Sequence, residues 1–293
     1  AAMSVICLIA NPARPALEPA VVDSLRANLG GGAVTWRAPG VAAEFPVDHV
    51  PADIDTVAAD LRARGVDLCV VSSETRRKKL LIADMDSTMI GQECIDELAE
   101  VAGVGDRVRE VTARAMNGEL GFEGALRARV ALLAGLPEAA IADVLAARIT
   151  DAPGGRVLVA TMRAHGAGTL LVSGGFTAFS GPVAARIGFE AHQANVLLAE
   201  GGRLTGRVAE PILGREAKVA ALEHEVRSRG IAAEDVIAVG DGANDLGMLE
   251  RAGLGVALHA KPAVAAQADV RIDHGDLTAL LYLQGYATEE FAR

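Results

Sequence analysis

Two aspartates one residue apart, Asp84 and Asp86, follow directly on the apolar run "LLIA" at residues 80–83. If this run is a strand, the two side chains point the same way, and their carboxylates repel one another unless a cation lies between them. Mg²⁺ is suited to that place because it prefers carboxylate, carbonyl and water oxygens. A surface turn is the alternative for so short a motif, although the apolar lead-in disfavours it. The spacing therefore predicts a metal-binding strand end.

A similar strand end occurs in "AVGDGAND" at residues 238–245, where Asp241 follows an apolar run and lies between two glycines. Glycines at such a place let a ligand approach the backbone closely. Asn244 and Asp245 begin the next helical segment, so Asp245 either supports the site or only favours the helix N-terminus through the helix dipole. Asp241 is thus a further candidate metal ligand.

Ser173, in the run "LLVSGGF", follows a third apolar segment. Its hydroxyl and the N–H groups of Gly174 and Gly175 form either a phosphate cradle or a tight turn. Lys218 lies near the start of a helical segment and is either a surface residue or the cation that phosphoryl transfer needs besides a metal. Together, the three strand ends and this lysine are suited to phosphate chemistry.

Short apolar runs alternate with amphipathic helical segments from residue 79 onward. This order predicts an α/β fold whose core is a doubly wound, Rossmann-like parallel sheet with helices on both faces. Ligands of such sheets bind at the carboxyl ends of the strands, so the polar strand ends should converge on one site. The predicted core comprises residues 76–91 and 157–293.

Two further regions accompany this core. Residues 92–156 show helical patterns, one with Pro137 in its first turn, and no strand pattern occurs before about residue 157. They are predicted to form an inserted helical cap over the strand ends. Residues 1–75 are predicted to form a small α+β domain, and the run "RRKK" at 76–79 is interpreted as a solvated linker.

The composition limits the classes of function. A net charge of −10, with no basic cluster longer than "RRKK", argues against a nucleic-acid partner. Three scattered cysteines fit reduced thiols in a cytoplasmic protein. No stretch reaches the roughly 20 apolar residues of a membrane helix, so no membrane partner is expected.

Taken in chain order, the motifs resemble those of the haloacid dehalogenase superfamily of phosphatases: DxDx[TV] at 84–88, a Ser motif, a Lys motif, and GDGxND at 240–245. The resemblance implies that Asp84 attacks phosphorus and that Asp86 acts as acid and base. It also implies Mg²⁺ as the cofactor, held by Asp84, the backbone carbonyl of Asp86, and Asp241. A dehalogenase needs neither the second aspartate nor Mg²⁺, so Asp86 favours a phosphatase.

The same resemblance assigns binding and supporting roles to other residues. The residues expected to hold the phosphoryl group or to support the site are Ser173, Gly174, Gly175, Lys218, Asn244, Thr88 and Asp245. Among these, the Ser173 hydroxyl, the Gly174 N–H and the Lys218 ammonium are expected to contact the phosphoryl oxygens.

Within that superfamily, the stretches "DSTMIGQE" and "AMNGELGFEGALRARVALLAGLP" are similar to the phosphoserine phosphatases. This similarity implies that Glu93 meets the substrate's amino group, that Arg129 meets its carboxylate, and that Met116 and Phe122 cover the ligand. Judged from the residues alone, Arg129 shares an apolar helical stripe with Phe122 and is either an edge residue or a carboxylate clamp.

The implied function is Mg²⁺-dependent hydrolysis of O-phospho-L-serine to serine and phosphate, the last step of serine biosynthesis. Two enzymatic alternatives stay open: phosphoryl transfer from phosphoserine to another alcohol, and hydrolysis of another small phosphomonoester. A serine-binding regulatory protein is the non-enzymatic alternative. The N-terminal domain resembles ACT modules in its predicted βαββαβ order, which makes it either a serine sensor or a homodimer contact.

Overall fold

The N-terminal part of the chain forms a four-stranded antiparallel sheet in a computed structural model that describes residues 3–292. Its elements are β1 (Ser4–Ala10), α1 (Pro19–Asn28), β2 (Thr35–Ala38), β3 (Ala42–Val47), α2 (Ile54–Arg62) and β4 (Val66–Ser72). This is the βαββαβ order expected from the sequence. Residues 1–2, at the start of the predicted first domain, and residue 293, at the end of the predicted core, lie outside the described residues.

The strand order β2-β3-β1-β4 places β1 in the middle of this sheet, and nearly all of β1 is buried. Alternate residues of a strand share a face, so Ile6 and Leu8 enter one core together with Phe45 and Leu68. Helix α2 contributes Leu61 to the same core. Each such side chain stabilises the fold by about 1.5–3 kcal/mol relative to an exposed one.

A second sheet has six strands in the order β12-β11-β10-β5-β6-β7. The strands are β5 (Leu80–Ala83), β6 (Gly168–Phe176), β7 (Ala191–Asn195), β10 (Val236–Gly240), β11 (Leu254–Leu258) and β12 (Val270–Ile272). The predicted parallel α/β core is thus confirmed, with strands at four of the predicted apolar runs. The sequence analysis missed β7 and β12, because β7 reads "AHQAN" with little apolar content and β12 has three residues.

Helices fill the interval between β5 and β6, as the sequence predicts. They are α3 (Cys94–Val101), α4 (Gly105–Met116), α5 (Phe122–Ala131), α6 (Ala139–Ala147) and α7 (Gly155–Ala164). Helix α6 begins two residues after Pro137, which pairs with Arg203 in an isolated bridge instead of occupying the first turn. The segment from residue 157 belongs to α7 and not to a strand, since Leu158 and Met162 recur at helical spacing on its buried side.

The rest of the chain supplies a hairpin and the helices around the later strands. The hairpin consists of β8 (Leu197–Glu200) and β9 (Arg203–Val208). The helices are α8 (Thr177–Ile187), α9 (Arg215–Arg229), α10 (Leu246–Arg251), α11 (Pro262–Ala265) and α12 (Ala279–Leu283). Helix α9 follows the predicted segment closely, and its last turn carries basic residues that favour a helix C-terminus.

The interpretation of "RRKK" as a solvated linker is wrong for Arg76 and Lys78, whereas Arg77 and Lys79 are exposed. The Arg76 side chain is 14% exposed and pairs with Glu44 of β3 through both terminal nitrogens, at 2.8 and 2.5 Å. Its Nε donates to the carbonyl of Leu283 in α12 at 2.9 Å. The partners lie far from Arg76 along the chain, so no local pattern could indicate that the run is anchored.

The other members of this run are anchored too. Lys78 is 9% exposed and donates from Nζ to the carbonyl of Glu234 at 2.7 Å. Arg77 pairs with Glu290 at 2.6 Å and stacks over the ring of Tyr286, 4.0 Å from its centroid. These contacts fix the segment between β4 and β5 along most of its length.

The N-terminal sheet is held at a second place by Asp67 of β4. This carboxylate is 1% exposed and accepts the backbone N–H groups of Asp273, His274 and Gly275, each at 2.9 Å. Three such donors satisfy a buried charge without a cation. Asp67 therefore binds the segment after β12 firmly.

The chain divides into two compact units. One contains the chain up to Leu81, Pro153–Thr169 and the chain from Val226 onward, and so includes the N-terminal sheet and β10–β12. The other contains Ile82–Ala152 and Leu170–Glu225, and so includes α3–α6 and α8. Within residues 3–292, no helix has both the length and the apolar character needed to cross a membrane.

Candidate active site

Strand β5 delivers Asp84 to a buried position. All four residues of the strand are buried, and Asp84 follows it directly with 6% of its surface exposed. Lys218, in the first turns of α9, is 1% exposed, and its Nζ lies 2.5 Å from Asp84 Oδ1. A buried ammonium group offsets the cost of burying the carboxylate and holds it in place. The structure thus brings together two predicted site residues that are 134 positions apart.

A tight helical turn, Met85–Met89, follows Asp84 and carries Asp86. Ser87 has φ +55°, a left-handed conformation that is uncommon for a residue with a side chain. This turn directs Asp86 Oδ1 to the backbone N–H of Cys94, at 3.0 Å, where α3 begins. The turn therefore separates the directions of the two carboxylates, which a regular strand would have left side by side.

Asp86 lies against the end of β6. A Cβ atom added to Gly175 would stand 2.9 Å from Asp86 Oδ2 and 3.0 Å from Ser173 Oγ, so a side chain there would displace these two groups. Burial raises the pKa of the Asp86 carboxyl, although hydrogen bonds from Cys94 and the charge of Lys218 act in the opposite direction. An aspartic acid with a raised pKa keeps its proton to higher pH than usual, as a general acid requires.

Near the end of β6, Ser173 is followed by two glycines. Ser173 is 2% exposed, and its Oγ accepts the N–H of Gly175 at 2.8 Å. The hydroxyl is thereby oriented by the glycine that follows. Ser173, Gly175 and Asp86 are therefore packed together, while Thr88, predicted to support the site, is buried within the turn after Asp84.

Arg129 of α5 is half-buried and lies in a field of carboxylates. Burial lowers the pKa of its guanidinium, although the negative charges of Asp96, Glu93 and Asp86 act to raise it. The guanidinium is still protonated at neutral pH. Its Nε donates to the carbonyl of Ala125 at 3.3 Å. Among the described residues no carboxylate forms an ion pair with Arg129. The guanidinium is therefore suited to receive the carboxylate of a ligand.

The other predicted cap residues are more exposed. Glu93 precedes α3 and accepts a hydrogen bond from the Ser87 hydroxyl at 2.6 Å. Met116, at the end of α4, is 71% exposed, and Phe122, at the start of α5, is 38% exposed. The Phe122 ring lies 3.2 Å from the position of a Cβ added to Gly214, just before α9. Both apolar side chains are thus accessible to a ligand, and Phe122 borders the segment that leads to Lys218.

Asp241 lies in a loop that Asp245 shapes. Asp245 is fully buried, and its Oδ2 accepts the N–H groups of Asp241 and Gly242 at 3.1 and 3.0 Å. A Cβ on Gly240 would stand 2.4 Å from the Asp245 carboxyl carbon, which explains the glycine. Asn244 is half-buried, with Oδ1 2.5 Å from the position of a Cβ on Gly242. Asp245 therefore does more than favour a helix N-terminus.

Three carboxylates form an acidic cluster: one oxygen each of Asp84, Asp241 and Asp245 lies within 4.8 Å of the other two. Like charges at such distances destabilise one another unless a cation is shared. The donors are all oxygens, which suits a hard divalent cation such as Mg²⁺. The donor set therefore fits a metal ion.

Three residues with close contacts in this region were missed by the sequence analysis: Ser87, Cys94 and Asn195. Ser87 stands within the quoted stretch "DSTMIGQE" and Cys94 directly follows it, but nothing in their types indicated contacts with Glu93 and Asp86. Asn195 ends β7, a strand that the apolar pattern did not predict. Its amide bonds to the carbonyl of Gly174, and a polar residue at a strand end would have been the available signal.

Comparison with known proteins agrees with this geometry. Residues 81–250, more than half of the chain, match the model of the haloacid dehalogenase-like hydrolase family. A phosphoserine phosphatase of Streptomyces coelicolor is 42% identical over 256 residues, which are 86% of this chain and 62% of that protein. The chain thus spans less than two thirds of the length of this relative.

Two solved structures resemble this chain, one over nearly all of its length and one over about two thirds of it. A haloacid dehalogenase family hydrolase of Salmonella enterica has a TM-score of 0.84 at 29% identity and covers 96% of this chain and 98% of its own. A substrate-bound phosphoserine phosphatase complex has a TM-score of 0.66 at 39% identity and covers 70% of this chain and 98% of its own.

Proposed function

Because the chain belongs to the haloacid dehalogenase-like hydrolase family, we propose that it hydrolyses O-phospho-L-serine to serine and inorganic phosphate through an aspartyl-phosphate intermediate. The observation that carries this proposal is the buried pair of Asp84 and Lys218, 2.5 Å apart, at the end of β5. A carboxylate fixed beside a cation can attack phosphorus while the cation stabilises the charge on the phosphoryl oxygens.

In the first step, an Asp84 carboxylate oxygen forms a bond to phosphorus as the bond from phosphorus to the serine oxygen breaks. Asp86 gives its proton to that leaving oxygen, and the raised pKa of its carboxyl is consistent with this role. In the second step, Asp86 takes a proton from water, the water oxygen bonds to phosphorus, and the bond to Asp84 breaks. Phosphate leaves and both aspartates return to their starting states.

The phosphoryl oxygens are proposed to contact the Ser173 hydroxyl, the Gly174 N–H and Lys218, with Gly175 beside them in the binding site. Support comes from the packing of Gly175 against Asp86 and Ser173, which leaves no room for a side chain. Asn244 is proposed to contact the substrate from the loop after β10. Donors fixed before the substrate arrives need no reorganisation during the reaction, which favours catalysis.

Mg²⁺ is the proposed cofactor, with Asp84, Asp241 and the backbone carbonyl of Asp86 as its protein ligands. The acidic cluster around Asp84 supports this assignment. When bound, Mg²⁺ offsets the negative charges of the carboxylates and of the phosphate. Asp245 is proposed to support the site through the two backbone N–H groups that it accepts.

Selection of an amino acid is proposed to depend on Arg129 and Glu93. Arg129 offers a guanidinium to the substrate carboxylate, and Glu93, oriented by Ser87, offers a carboxylate to the ammonium group. Met116 and Phe122 are proposed to cover the ligand, consistent with their exposed apolar side chains. The names of the similar relatives and the substrate-bound complex among the similar structures support phosphoserine as the substrate.

The domain assignment is part of the same proposal. Residues 76–91 and 157–293 form the catalytic core, residues 92–156 the cap, and residues 1–75 an ACT-like domain for homodimer contact or serine binding. The βαββαβ order and the sheet order β2-β3-β1-β4 support the last assignment. The cytoplasm is the proposed compartment, supported by three free, buried thiols.

Phosphate release by the purified protein tests the function. L-phosphoserine and a panel of other phosphomonoesters are incubated with Mg²⁺ or with EDTA, beside the Asp84→Asn variant. Rapid, metal-dependent release that prefers phosphoserine and is abolished by Asp84→Asn is the expected result. Release from many esters but little from phosphoserine would keep the phosphatase and reject the substrate, and no release from any ester would reject the enzyme.

A further inference from the structure

The side chain of Asn195 joins two parts of the candidate site that belong to different elements. Asn195 is the last residue of β7 and is 2% exposed. Its Nδ2 donates to the carbonyls of Gly174 and Leu213 at 2.9 and 3.2 Å, and its Oδ1 accepts the N–H of Leu213 at 2.7 Å. Since carbonyls can only accept, one orientation of the amide satisfies all three contacts.

The bond to Gly174 fixes the direction of a neighbouring donor. The Gly174 carbonyl and the Gly175 N–H belong to one planar, trans peptide group, so they point in opposite directions. Asn195 holds the carbonyl on one side, and on the other side the Gly175 N–H donates to Ser173 Oγ at 2.8 Å. Rotation of this peptide group would turn the Gly175 N–H away from Ser173.

The bonds to Leu213 fix the approach to α9. Both backbone groups of Leu213 bond to the Asn195 amide. The next residue, Gly214, accepts the backbone N–H of Lys218 at 3.3 Å and so belongs to the first turn of the hydrogen-bond ladder that holds this lysine. A shift of Leu213 would therefore move the start of α9 and with it the Lys218 side chain.

We infer that Asn195 is a positioning residue, which fixes the Gly174–Gly175 loop relative to the start of α9 and so sets the distance between the Ser173 hydroxyl and Lys218. The inference rests on the proposed function, because it takes both elements to bind the same phosphoryl group. Asn195 contacts neither the reacting atoms nor Asp84 directly. Its effect on the reaction passes through the two elements that it joins.

Two substitutions of Asn195 test this role. Asn195→Ala removes all three hydrogen bonds, and Asn195→Asp keeps the shape of the side chain but offers a carboxylate to two carbonyl groups. Gln193→Glu is the matched control, since it makes the same amide-to-carboxylate change two residues earlier on β7, at the partner position of Val172. The measurements are kcat and KM for L-phosphoserine and p-nitrophenyl phosphate, and calorimetric binding of inorganic phosphate with Mg²⁺ present.

Both Asn195 variants are expected to fold and to lose about tenfold or more in kcat/KM on either substrate, because small displacements of catalytic groups are costly. Their affinity for inorganic phosphate is expected to fall by about the same factor, while Gln193→Glu stays within about twofold of the unaltered protein. A residue that served only to stabilise the fold would lower the urea midpoint and leave phosphate affinity unchanged in the folded protein.

Folded Asn195 variants with unchanged phosphate affinity and kcat/KM would overturn the inference. Failure of both variants to fold would overturn it as well, because Asn195 would then be a determinant of folding. Phosphate binding also tests the positioning role of Asn195 independently of the proposed hydrolysis. If the unaltered protein hydrolyses neither ester, the proposed function fails, but weaker phosphate binding by the Asn195 variants would still support the positioning role.

Discussion

Two buried ion pairs of this protein, Arg76–Glu44 and Lys218–Asp84, differ in what surrounds them. Each nitrogen of the Arg76 guanidinium donates to a fixed acceptor, either the Glu44 carboxylate or a carbonyl at the end of α12. Asp84, the partner of Lys218, belongs instead to an acidic cluster with Asp241 and Asp245. A buried pair costs desolvation energy in both cases. This difference predicts that the first pair controls stability and the second controls activity.

The largest effect is expected for Asp84→Asn, which removes the proposed nucleophile but keeps its shape. Phosphate release should fall by about 10³-fold or more, because an amide cannot form the covalent intermediate. The melting temperature should change little, since the loss of the Asp84 charge also relieves its repulsion by the carboxylates of Asp241 and Asp245. Steady-state kinetics and thermal unfolding of the same preparation check both statements. Retained activity with a large loss of melting temperature would reverse the assignment of the two pairs.

Glu44→Gln is expected to have the opposite pattern. It leaves the buried Arg76 guanidinium without its carboxylate, and breaking a buried pair in this way lowers the free energy of unfolding by about 3–5 kcal/mol. The kcat of the folded variant should stay near that of the unaltered protein. Urea unfolding measures the first effect. Glu123→Gln is the control, because its pair with Arg127 is exposed to water and contributes little to stability.

The Arg76–Glu44 pair also predicts a dependence of stability on pH. Burial alone would raise the pKa of Glu44, but hydrogen bonds from Arg76 and Arg37 outweigh it and hold this pKa below the ordinary value of 4.5. The stabilisation is therefore complete above about pH 4.5 and is lost as the pH falls through the lower pKa of the folded state. Urea unfolding below pH 4.5 should bring the unaltered protein closer to Glu44→Gln. A constant difference between the two across this range would contradict the expectation.

The site was predictable from sequence where a local pattern carried it. Asp84 and Ser173 lie at or just beyond the ends of apolar runs, and parallel strands necessarily bring such ends to one edge of a sheet. Lys218 stood near the start of a predicted helical segment, which the structure shows as α9. In each case a short segment determined the element, and the element determined the position of the side chain.

Other features were not predictable because they depend on partners far along the chain. Arg76 is held by Glu44 and by carbonyls more than 200 positions away, so the basic residues that follow it in the sequence indicated only solvent. Asn195 stands in a strand with little apolar content, and its contacts are set by loops of two other elements. The three-residue strand β12 gives no detectable periodicity. Tertiary context decided these positions.

A smaller effect on activity is expected for Arg129→Lys. This variant tests whether a residue outside the Lys218–Asp84 pair selects the substrate. A lysine keeps the positive charge but cannot bind a carboxylate through two parallel hydrogen bonds. The kcat/KM for L-phosphoserine should fall by about 10–100-fold, mostly through KM. p-Nitrophenyl phosphate has no carboxylate, so its hydrolysis should change little. An equal loss on both esters would show that Arg129 supports the cap and does not select the substrate.

The smallest effect is expected for Arg77→Met. This variant tests whether burial or charge determines how much a residue of "RRKK" contributes to stability. Arg77 pairs with Glu290 and stacks over Tyr286, yet its side chain is 45% exposed. Loss of both contacts should lower the free energy of unfolding by about 0.5–1 kcal/mol, since water screens them. Lys79→Met is the matched control, because Lys79 is 62% exposed and pairs with Asp235 at 3.1 Å. Either variant could instead destabilise the protein as much as Glu44→Gln does. The charge of the run would then contribute more to stability than its burial, and Arg76 would not differ from its exposed neighbours.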